Sequence, residues 1–343
     1  MAIFRVFISS TFNDFQCERW VLQQIVFPRL KEKCQQHGAE FLGVDLRWGI
    51  SPERSSRSKT IQTCFDEIER CQRLSPKPNF VLLLGQRYGY IPIPEVIPNN
   101  LYCKIRDFFT KNIESESLLL WDNWYQQDSN DLERKWLIKP HDRCNGYTAP
   151  SIQEALKNAL KRAAESLELN LSEGEKCLLT GSATEQEIQK GIFDQAGSSD
   201  HVFVWRRVIS DLPFSGEDAC LYRDSGEGSY NHVSNSRLEL LAGKLKSLLG
   251  ERYLEQNVLL SELSSTATQA VDEVQLTSYL RNFADTMESQ LWAKIEEQIR
   301  DEPSQDEEST HRQFARLVEP LANHDRYLSL GLHLFDKLFA LIK

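Results

Sequence analysis

The chain lacks the patterns that mark a membrane protein or a metalloenzyme. No segment contains 18 consecutive apolar residues, so we predict no membrane-spanning helix. The eight cysteines form no CxxC pair or Cys/His cluster, and the seven histidines show no HExxH spacing, so we predict no metal site. Since we expect no leader sequence before the first strand, we predict a cytoplasmic protein with reduced thiols.

Positive charge and phosphate-binding loops are also scarce. The formal net charge is −10 and the isoelectric point is about 5.4, so we expect no direct nucleic-acid binding, although a local basic patch is compatible with these values. No GxxxxGK[ST] loop occurs, and the glycines at 85 and 89 lack the third glycine of a dinucleotide fingerprint. The composition therefore describes a soluble globular chain without a P-loop.

Short apolar runs alternate with amphipathic segments along the first half of the chain. The runs at 2–9, 39–46, 79–85 and 201–208 are predicted strands, and the segments at 14–36, 59–72 and 182–193 are predicted helices. Pro28 should bend or interrupt the first helix because proline has no amide hydrogen to donate. This alternation predicts an α/β fold with a doubly wound parallel sheet.

The alternation breaks between residues 92 and 180, where prolines and an aromatic-rich stretch precede a predicted helix at 151–167. We therefore predict an α/β domain over 1–215 that carries a helical insertion at about 92–180. A polar loop over 216–235 then leads to a helical connector region over 236–343, with amphipathic helices predicted at 237–249 and 276–300 and a further helical stretch at 311–343.

Polar and aromatic side chains follow three of the predicted strands. In a parallel sheet these strand ends meet at one edge, where hydroxyls, a guanidinium and aromatic rings would suit a nucleotide. The residues are Ser9, Ser10 and Thr11 after the first strand, Asp45, Arg47 and Trp48 after the second, and Gln86, Arg87, Tyr88 and Tyr90 after the third. Each could instead have a purely structural role, as a helix cap, a packing residue or an ion-pair partner.

Two glutamates, Glu185 and Glu187, lie at the start of the helix that precedes the fourth strand. Each fits a capping-box pattern, with Ser182 and Thr184 respectively as the capping residue. Residues two apart on a helix point about 200° apart, so both cannot face one pocket. One glutamate should be a cap or a solvated residue, while the other could stabilise an oxocarbenium-like transition state beside the strand ends.

Four sequence blocks occur in an order that resembles a known family. They are FISSTFND at 7–14 followed by Glu18 and Arg19, VDLRWGI at 44–50, LLLGQRYG at 82–89 and ATEQEIQKG at 183–191. The series resembles the TIR-like N-terminal domain found ahead of NACHT/STAND ATPase modules in animal telomerase-associated, nephrocystin and NACHT–WD-repeat proteins and in bacterial antiphage proteins. The resemblance covers about residues 3–210.

The resemblance implies a flavodoxin-like fold and an NAD⁺-cleaving activity, because many TIR domains break the nicotinamide–ribose bond with one glutamate. It favours Glu187 over Glu185 as the catalytic carboxylate, since Glu187 precedes Ile188 as in the TIR pattern. NAD⁺ would be a substrate, so no cofactor is implied. Activation would follow self-association driven by an attached or separate STAND/NACHT ATPase sensor in antiviral defence and innate immunity.

In this reading the residues at the strand ends would hold the substrate. Ser9, Ser10 and Thr11 would line the nucleotide crevice and Arg47 would hold phosphate, while Trp48 or Tyr88 would stack on nicotinamide or adenine. Two other functions stay open. One is a non-catalytic scaffold for homotypic interaction, and the other is nucleoside 2-deoxyribosyl transfer with the same glutamate on a related fold.

Overall fold

A computed structural model of the chain describes residues 2–12, 14–46, 57–129, 134–139, 150–195, 199–226, 229–263 and 276–301. The strands within these ranges are β1 (Ile3–Ser10), β2 (Glu40–Val44), β3 (Phe80–Leu84), β4 (Val96–Ile97), β5 (Tyr125–Gln127), β6 (Trp136–Ile138), β7 (Val202–Ile209), β8 (Ser225–Gly226), β9 (Ser229–Tyr230) and β10 (Tyr253–Val258). The α-helices are α1 (Gln16–Val21), α2 (Phe27–Gln36), α3 (Arg57–Leu74), α4 (Asn99–Lys111), α5 (Ser115–Trp124), α6 (Pro150–Ser166), α7 (Glu173–Thr180), α8 (Ala183–Ile188), α9 (Glu217–Tyr222), α10 (His232–Leu249) and α11 (Ser278–Asp301).

Five strands form a parallel sheet in the order β10-β7-β3-β1-β2. The chain moves outward from β1 to β2 in one direction and through β3, β7 and β10 in the other, which is the flavodoxin-like strand order. All five residues of β3 are buried, as expected for a central strand covered on both faces. The predicted doubly wound α/β fold is therefore confirmed.

Helices cover both faces of this sheet. On one face, α1, α2 and α11 pack on the sheet through buried side chains such as Val21, Leu30 and Phe283. On the other face, α3, α8 and α10 bury Ile68, Ile188 and other apolar residues. Burial of two separate apolar layers against one sheet is the main source of stability that an α/β fold has available.

Pro28 interrupts the first long helix as predicted. The α-helical hydrogen bonding gives way to a π-helical turn at Leu22–Val26, and α2 then begins with Pro28 in its first turn. Proline has no amide hydrogen for the carbonyl four residues earlier, and a π-turn accommodates that missing bond. A second π-turn, Gln189–Phe193, extends α8.

The insertion between β3 and α8 contains helices α4 to α7 and also a small antiparallel sheet in the order β4-β6-β5. It has its own apolar core, where the rings of Tyr102 and Trp136 stack with centroids 3.6 Å apart. The sequence predicted a helical insertion and did not predict this sheet. Strands of two or three residues are too short to show an alternating pattern.

The sheet does not end where the sequence suggested. The predicted α/β domain ended at residue 215, but β10 pairs in parallel with β7 and forms an edge of the same sheet. Helix α10 lies between β7 and β10 in the chain and packs on the sheet, so it is the crossover helix of a parallel β-α-β unit and not the start of a separate connector. The sequence did not predict β10, because only its two end residues are buried and the strand shows no clear alternation of apolar and polar residues.

Some predictions concern residues outside the described ranges. They include the helical stretch at 311–343 and the site residues Arg47 and Trp48. Among the helices that the structure describes, none is long and apolar enough to cross a membrane.

Candidate functional site

The carboxyl ends of β1 and β3 border a cavity of about 540 Å³, here called cavity A. Ser10 and Thr11 enter it from the end of β1, Gly89 from the loop after β3, and Glu187 from α8. In the flavodoxin-like strand order the switch point lies between the first and third strands, where ligands bind in this fold class. The volume is within the range of small-molecule sites.

Glu187 is the acidic residue at the inner wall of cavity A. Its side chain is buried, and one carboxylate oxygen accepts a 2.5 Å hydrogen bond from the hydroxyl of Ser9. Burial raises the pKa of Glu187, while hydrogen bonds from Ser9 and Cys64 and the charge of Arg19 oppose the rise. A buried carboxylate with a raised pKa in a cleft is typical of functional sites.

Arg19 supplies a buried positive charge to the same cavity. Its Nε donates to the Ser10 hydroxyl at 2.9 Å, and its Nη1 forms a buried ion pair with Asp45. Arg19 borders cavity A, whereas Asp45 lies behind it as the partner that holds the guanidinium in place. Arg47, which the sequence predicted to hold phosphate, lies outside the described residues, and Arg19 is a buried guanidinium that the structure places at cavity A.

Sequence reasoning did not assign Arg19 to the site, although a signal was present. Leu22 and Val26, three and seven residues later, both face the core, so Arg19 lies on the buried face of its helix. A charged side chain on such a face requires a buried partner and therefore points to a functional or ion-pair cluster.

The turn after β1 is fixed by a second buried carboxylate. The Thr11 hydroxyl hydrogen-bonds Asp14, whose pKa is raised by burial in spite of nearby Arg207. Arg207 on β7 also forms a 2.6 Å ion pair with Glu18, and its guanidinium lies 4.2 Å from the ring of Phe15. These contacts hold the end of β1 and helix α1 against β7.

Glu185 faces a different cavity. It lies at the base of an open cleft of about 1290 Å³ between the insertion and α10, here called cavity B. The Tyr88 hydroxyl hydrogen-bonds its carboxylate, and Arg237 Nη2 approaches the same oxygen at 3.4 Å. Burial and the neighbouring Glu185 raise the pKa of Tyr88, which keeps the phenol protonated as the donor.

The structure therefore separates several residues that the sequence placed together. Ser10, Thr11, Arg87 and Glu187 border cavity A, while Tyr88 and Glu185 border cavity B. Ser9 lies behind Glu187 and donates to it without bordering the cavity. The ring of Tyr88, predicted to stack on a base, lies under the guanidinium of Arg237 at 5.2 Å.

Arg87 and Asp224 fix the loop after β3. Asp224 accepts hydrogen bonds from the backbone amides of Tyr88, at 2.6 Å, and Gly89, at 3.2 Å. Arg87 donates to the carbonyl oxygens of Cys220 and Leu221 while it borders cavity A. The loop that forms one wall of the cavity is therefore tied to α9 and to the segment after it.

Metal binding is not indicated in the part of the chain that the structure describes. No group of three or more His, Cys, Asp or Glu side chains in the described ranges is arranged to hold an ion. Within the described residues, cavity A offers one carboxylate, the guanidinium groups of Arg19 and Arg87, several hydroxyls and one thiol.

Comparison with known sequences links this chain to large multidomain proteins. Residues 5–100 match the family described as "Domain of unknown function (DUF4062)". That segment contains most of β1, all of β2 and β3, and the cavity A residues Ser10, Thr11 and Arg19. No solved structure is significantly similar to the chain.

Three curated relatives illustrate the homology. Mouse NACHT domain- and WD repeat-containing protein 1 is 32% identical over 198 residues, which are 57% of this chain and 12% of that protein. Human NACHT and WD repeat domain-containing protein 2 is 34% identical over 137 residues, 40% of this chain and 8% of that protein. Mouse telomerase protein component 1 is 40% identical over 96 residues, 28% of this chain and 3% of that protein. The chain thus covers a small fraction of each relative's length.

Proposed function

We propose that this chain is a TIR-like effector domain that cleaves NAD⁺ at the nicotinamide–ribose bond. Glu187 is the catalytic carboxylate, and cavity A binds the nicotinamide riboside half of the substrate. The products are nicotinamide and ADP-ribose, with water as the acceptor and one proton released.

The observation that supports this proposal most strongly is the position of Glu187. Its carboxylate lies at the switch point of a flavodoxin-like sheet, is buried, and is held by Ser9 at 2.5 Å. Ligands bind at this point of the sheet in doubly wound folds. A fixed carboxylate there faces the cavity that a substrate would enter.

The reaction asks little of the protein beyond this carboxylate. Nicotinamide leaves NAD⁺ as a neutral molecule, so no general acid is needed to protonate it. The positive charge that develops on the ribose ring is stabilised by a nearby carboxylate, and the low-dielectric wall of the cavity strengthens that interaction. Arg19, at the same wall, would carry a contact to a phosphate or ribose oxygen of the substrate.

The ionised form of Glu187 is the one that stabilises the cation. Because burial raises the pKa of Glu187, activity should increase with pH as this group loses its proton. Binding of a cationic nicotinamide ring would itself favour ionisation of the carboxylate.

The relatives suggest how such a domain is controlled. Two of them are named for a NACHT domain together with WD repeats. We infer that this chain works in the cytoplasm beside an attached or separate STAND/NACHT sensor. Clustering of the sensor brings copies of the chain together and switches on NAD⁺ depletion during antiviral defence.

One observation favours a second candidate, a non-catalytic scaffold for homotypic assembly. The polar groups around cavity A already satisfy one another, since Arg19 pairs with Asp45 and Arg87 donates to backbone carbonyls. Such pairing also occurs where polar groups serve only to hold a fold together. Nucleoside 2-deoxyribosyl transfer would use Glu187 as well, and substrate profiling separates it from NAD⁺ cleavage.

The test is nicotinamide release by the purified full chain at high concentration, with and without forced clustering. We compare the wild type with Glu187→Gln and Glu185→Gln, which replace each carboxylate by an amide of the same shape. A single electrostatic group at a reacting centre typically contributes ~10²–10³-fold in rate, so Glu187→Gln should lose at least about 100-fold. Glu185→Gln should stay within a few-fold of the wild type.

Each other outcome has a defined meaning. Loss with Glu185→Gln alone moves the catalytic role to cavity B. Turnover of deoxynucleosides without turnover of NAD⁺ supports the transferase. No release by the clustered wild type, with folding confirmed by circular dichroism, contradicts the enzyme and supports the scaffold.

A further inference from the structure

Helix α11 contributes a hydroxyl to the buried polar cluster beside the end of β1. The Tyr279 hydroxyl donates to Oε1 of Glu18 at 2.8 Å and accepts a 3.0 Å hydrogen bond from the indole Nε1 of Trp205 on β7. All three side chains are buried. Burial and the charge of Glu18 raise the pKa of Tyr279, so the hydroxyl keeps its proton and is the donor to the carboxylate. A helix that does not border cavity A within the described ranges therefore holds a carboxylate on α1.

The same oxygen of Glu18 is shared with Arg207. Arg207 Nη1 lies 2.6 Å from Glu18 Oε1, and Arg207 Nη2 lies 3.7 Å from Oδ2 of Asp14. Asp14 in turn accepts the hydrogen bond of the Thr11 hydroxyl. A continuous series of polar contacts thus leads from α11 to Thr11, which borders cavity A.

Glu18 also connects α11 to cavity A along α1 itself. Glu18 and Arg19 are consecutive, and both are buried although both are charged. Glu18 contacts Tyr279 and Arg207. Arg19 donates to Ser10 and borders cavity A. Because α1 has only six residues, a change in the position of Glu18 is expected to move Arg19 with it.

We propose that Tyr279 is a positioning residue for cavity A, whose hydrogen bond to Glu18 sets the positions of Arg19 and Thr11 at the cavity wall. Without this hydroxyl, Glu18 is held by Arg207 alone, and the contact of Arg207 with Asp14 readjusts. The expected effect on NAD⁺ rests on the proposed function, but the first test uses no substrate.

Tyr222 on α9 offers a matched control. Its ring lies 5.0 Å from the guanidinium of Arg207, in the same cluster. Its hydroxyl has no hydrogen-bond partner among the described residues. Tyr279→Phe and Tyr222→Phe therefore delete the same atom from the same cluster, and only the first removes a donor to Glu18.

The first measurement is a double-mutant cycle of denaturant unfolding on the full chain. Tyr279→Phe is combined with Thr11→Val, which removes the donor to Asp14 and keeps the shape of the side chain. Members of one polar network are not additive, so the two changes together should lower the folding equilibrium constant at least about threefold less than the product of their separate effects. The cycle of Tyr222→Phe with Thr11→Val should be additive.

The second measurement is NAD⁺ binding by isothermal titration calorimetry, with Glu187→Gln present to prevent turnover. Tyr279→Phe should weaken binding at least about threefold, because Arg19 no longer faces the substrate correctly. Tyr222→Phe should leave the affinity unchanged. A tyrosine that only fills space in the core would change stability without this difference in affinity.

An additive cycle for Tyr279→Phe, or an equal coupling for Tyr222→Phe, overturns the inference, because the tyrosine would then act only by packing. NAD⁺ affinity that is the same in Tyr279→Phe and the parent overturns it as well. If the parent chain neither binds nor cleaves NAD⁺, the proposed function fails, and the unfolding cycle alone decides the role of Tyr279. If Tyr279→Phe does not fold, Trp205→Phe takes its place in the cycle, since it removes the donor that holds the Tyr279 hydroxyl.

Discussion

Two glutamates separated by one residue on α8 meet very different surroundings. Glu187 is buried at the edge of the sheet, where the Ser9 hydroxyl donates to it and Arg19 borders the same cavity. Glu185 is half-buried at the base of an open cleft, where a tyrosine and an arginine hold it. The two cavities share Gly89 and Pro92, but each glutamate borders only one of them.

The difference shows that helix geometry and strand position decide the role of a side chain. A separation of about 200° sends the two carboxylates to opposite sides of α8. Glu187 meets the end of β1 at the switch point, whereas Glu185 meets the loop after β3 and helix α10. Glu185 completes a structural cluster that anchors the loop, and Glu187 is left beside a cavity that a ligand can enter.

The largest expected effect comes from filling each cavity in turn. Ala183 borders cavity A and Asn158 borders cavity B. Ala183→Trp should weaken NAD⁺ binding at least about tenfold, because the indole takes the ligand's space, a loss of about 1.4 kcal/mol or more. Asn158→Trp should leave binding unchanged.

Isothermal titration calorimetry measures the NAD⁺ affinity of both variants. Each variant also carries Glu187→Gln, which prevents turnover. If Asn158→Trp alone abolished binding, the substrate would occupy cavity B and the comparison between the cavities would be reversed.

Gly89 belongs to the wall that cavities A and B share, so a change there should affect both cavities. Gly89 has φ +98°, and a side chain there would meet the Thr11 methyl group at 3.0 Å. Gly89→Ala should cost about 1–3 kcal/mol of unfolding free energy, because a non-glycine residue is strained in this conformation. Denaturant unfolding followed by circular dichroism measures this change.

Gly243→Ala is the matched control for that experiment. Gly243 lies within α10, has no positive φ, and has open space where a Cβ would be placed. This substitution should stabilise the chain by about 0.5–1 kcal/mol. If Gly89→Ala and Gly243→Ala lost the same unfolding free energy, a side chain at Gly89 would not strain the backbone there.

Removal of one hydroxyl should weaken cavity B without affecting cavity A. Tyr88→Phe deletes the donor to Glu185 and the acceptor for the backbone amide of Ser182. The cost should be about 1–2 kcal/mol in unfolding free energy, as for the loss of buried hydrogen bonds. Nicotinamide release should stay within a few-fold of the wild type, and a loss of 100-fold would show that Tyr88 acts on the substrate.

The smallest effect concerns the pH dependence of stability. Burial raises the pKa of Glu187, so the folded chain holds this proton more tightly than the unfolded chain. The favourable contribution is complete below the unfolded pKa and is lost as the pH rises through the raised folded pKa. Because glutamine does not ionise, the Glu187→Gln variant does not lose stability in this way as the pH rises.

Melting temperatures of Glu187→Gln and the wild type should therefore agree at acid pH. At neutral pH the variant should melt higher, by at most about 2 °C in a chain of this size. Differential scanning calorimetry across the pH range gives the comparison. A variant that melts lower at neutral pH would show that the charged carboxylate stabilises the fold.

The structure brings predicted site residues together where they are neighbours in the chain. Ser9, Ser10 and Thr11 are consecutive at a strand end, and Ser10 and Thr11 do border cavity A. The choice of Glu187 over Glu185 as the catalytic carboxylate came from the family resemblance, and the structure places Glu187 beside Ser9. Catalysis by Glu187 and the relation to TIR domains stay predictions.

The prediction was weakest for residues that act through distant partners. Tyr88 and Arg87 are adjacent, yet one faces cavity B and the other cavity A. Arg237 and Asp224, which fix Glu185 and the loop, come from segments that the sequence assigned to a connector and a polar loop. Such contacts have no local pattern, because the partners are separated by dozens of residues or more.

The sequence by itself determined the parallel sheet with its strands β1, β2, β3 and β7, the helices that alternate with them, and the edge where polar residues collect. Local periodicity and strand-end chemistry carry that information, because each depends on residues close together in the chain. Only the tertiary structure decided that β10 completes the sheet, that Arg19 and Cys64 join Glu187, and that Glu185 turns to a second cavity. Those outcomes depend on which buried polar groups form hydrogen bonds and ion pairs with one another after the layers pack. The partners come from segments far apart in the sequence.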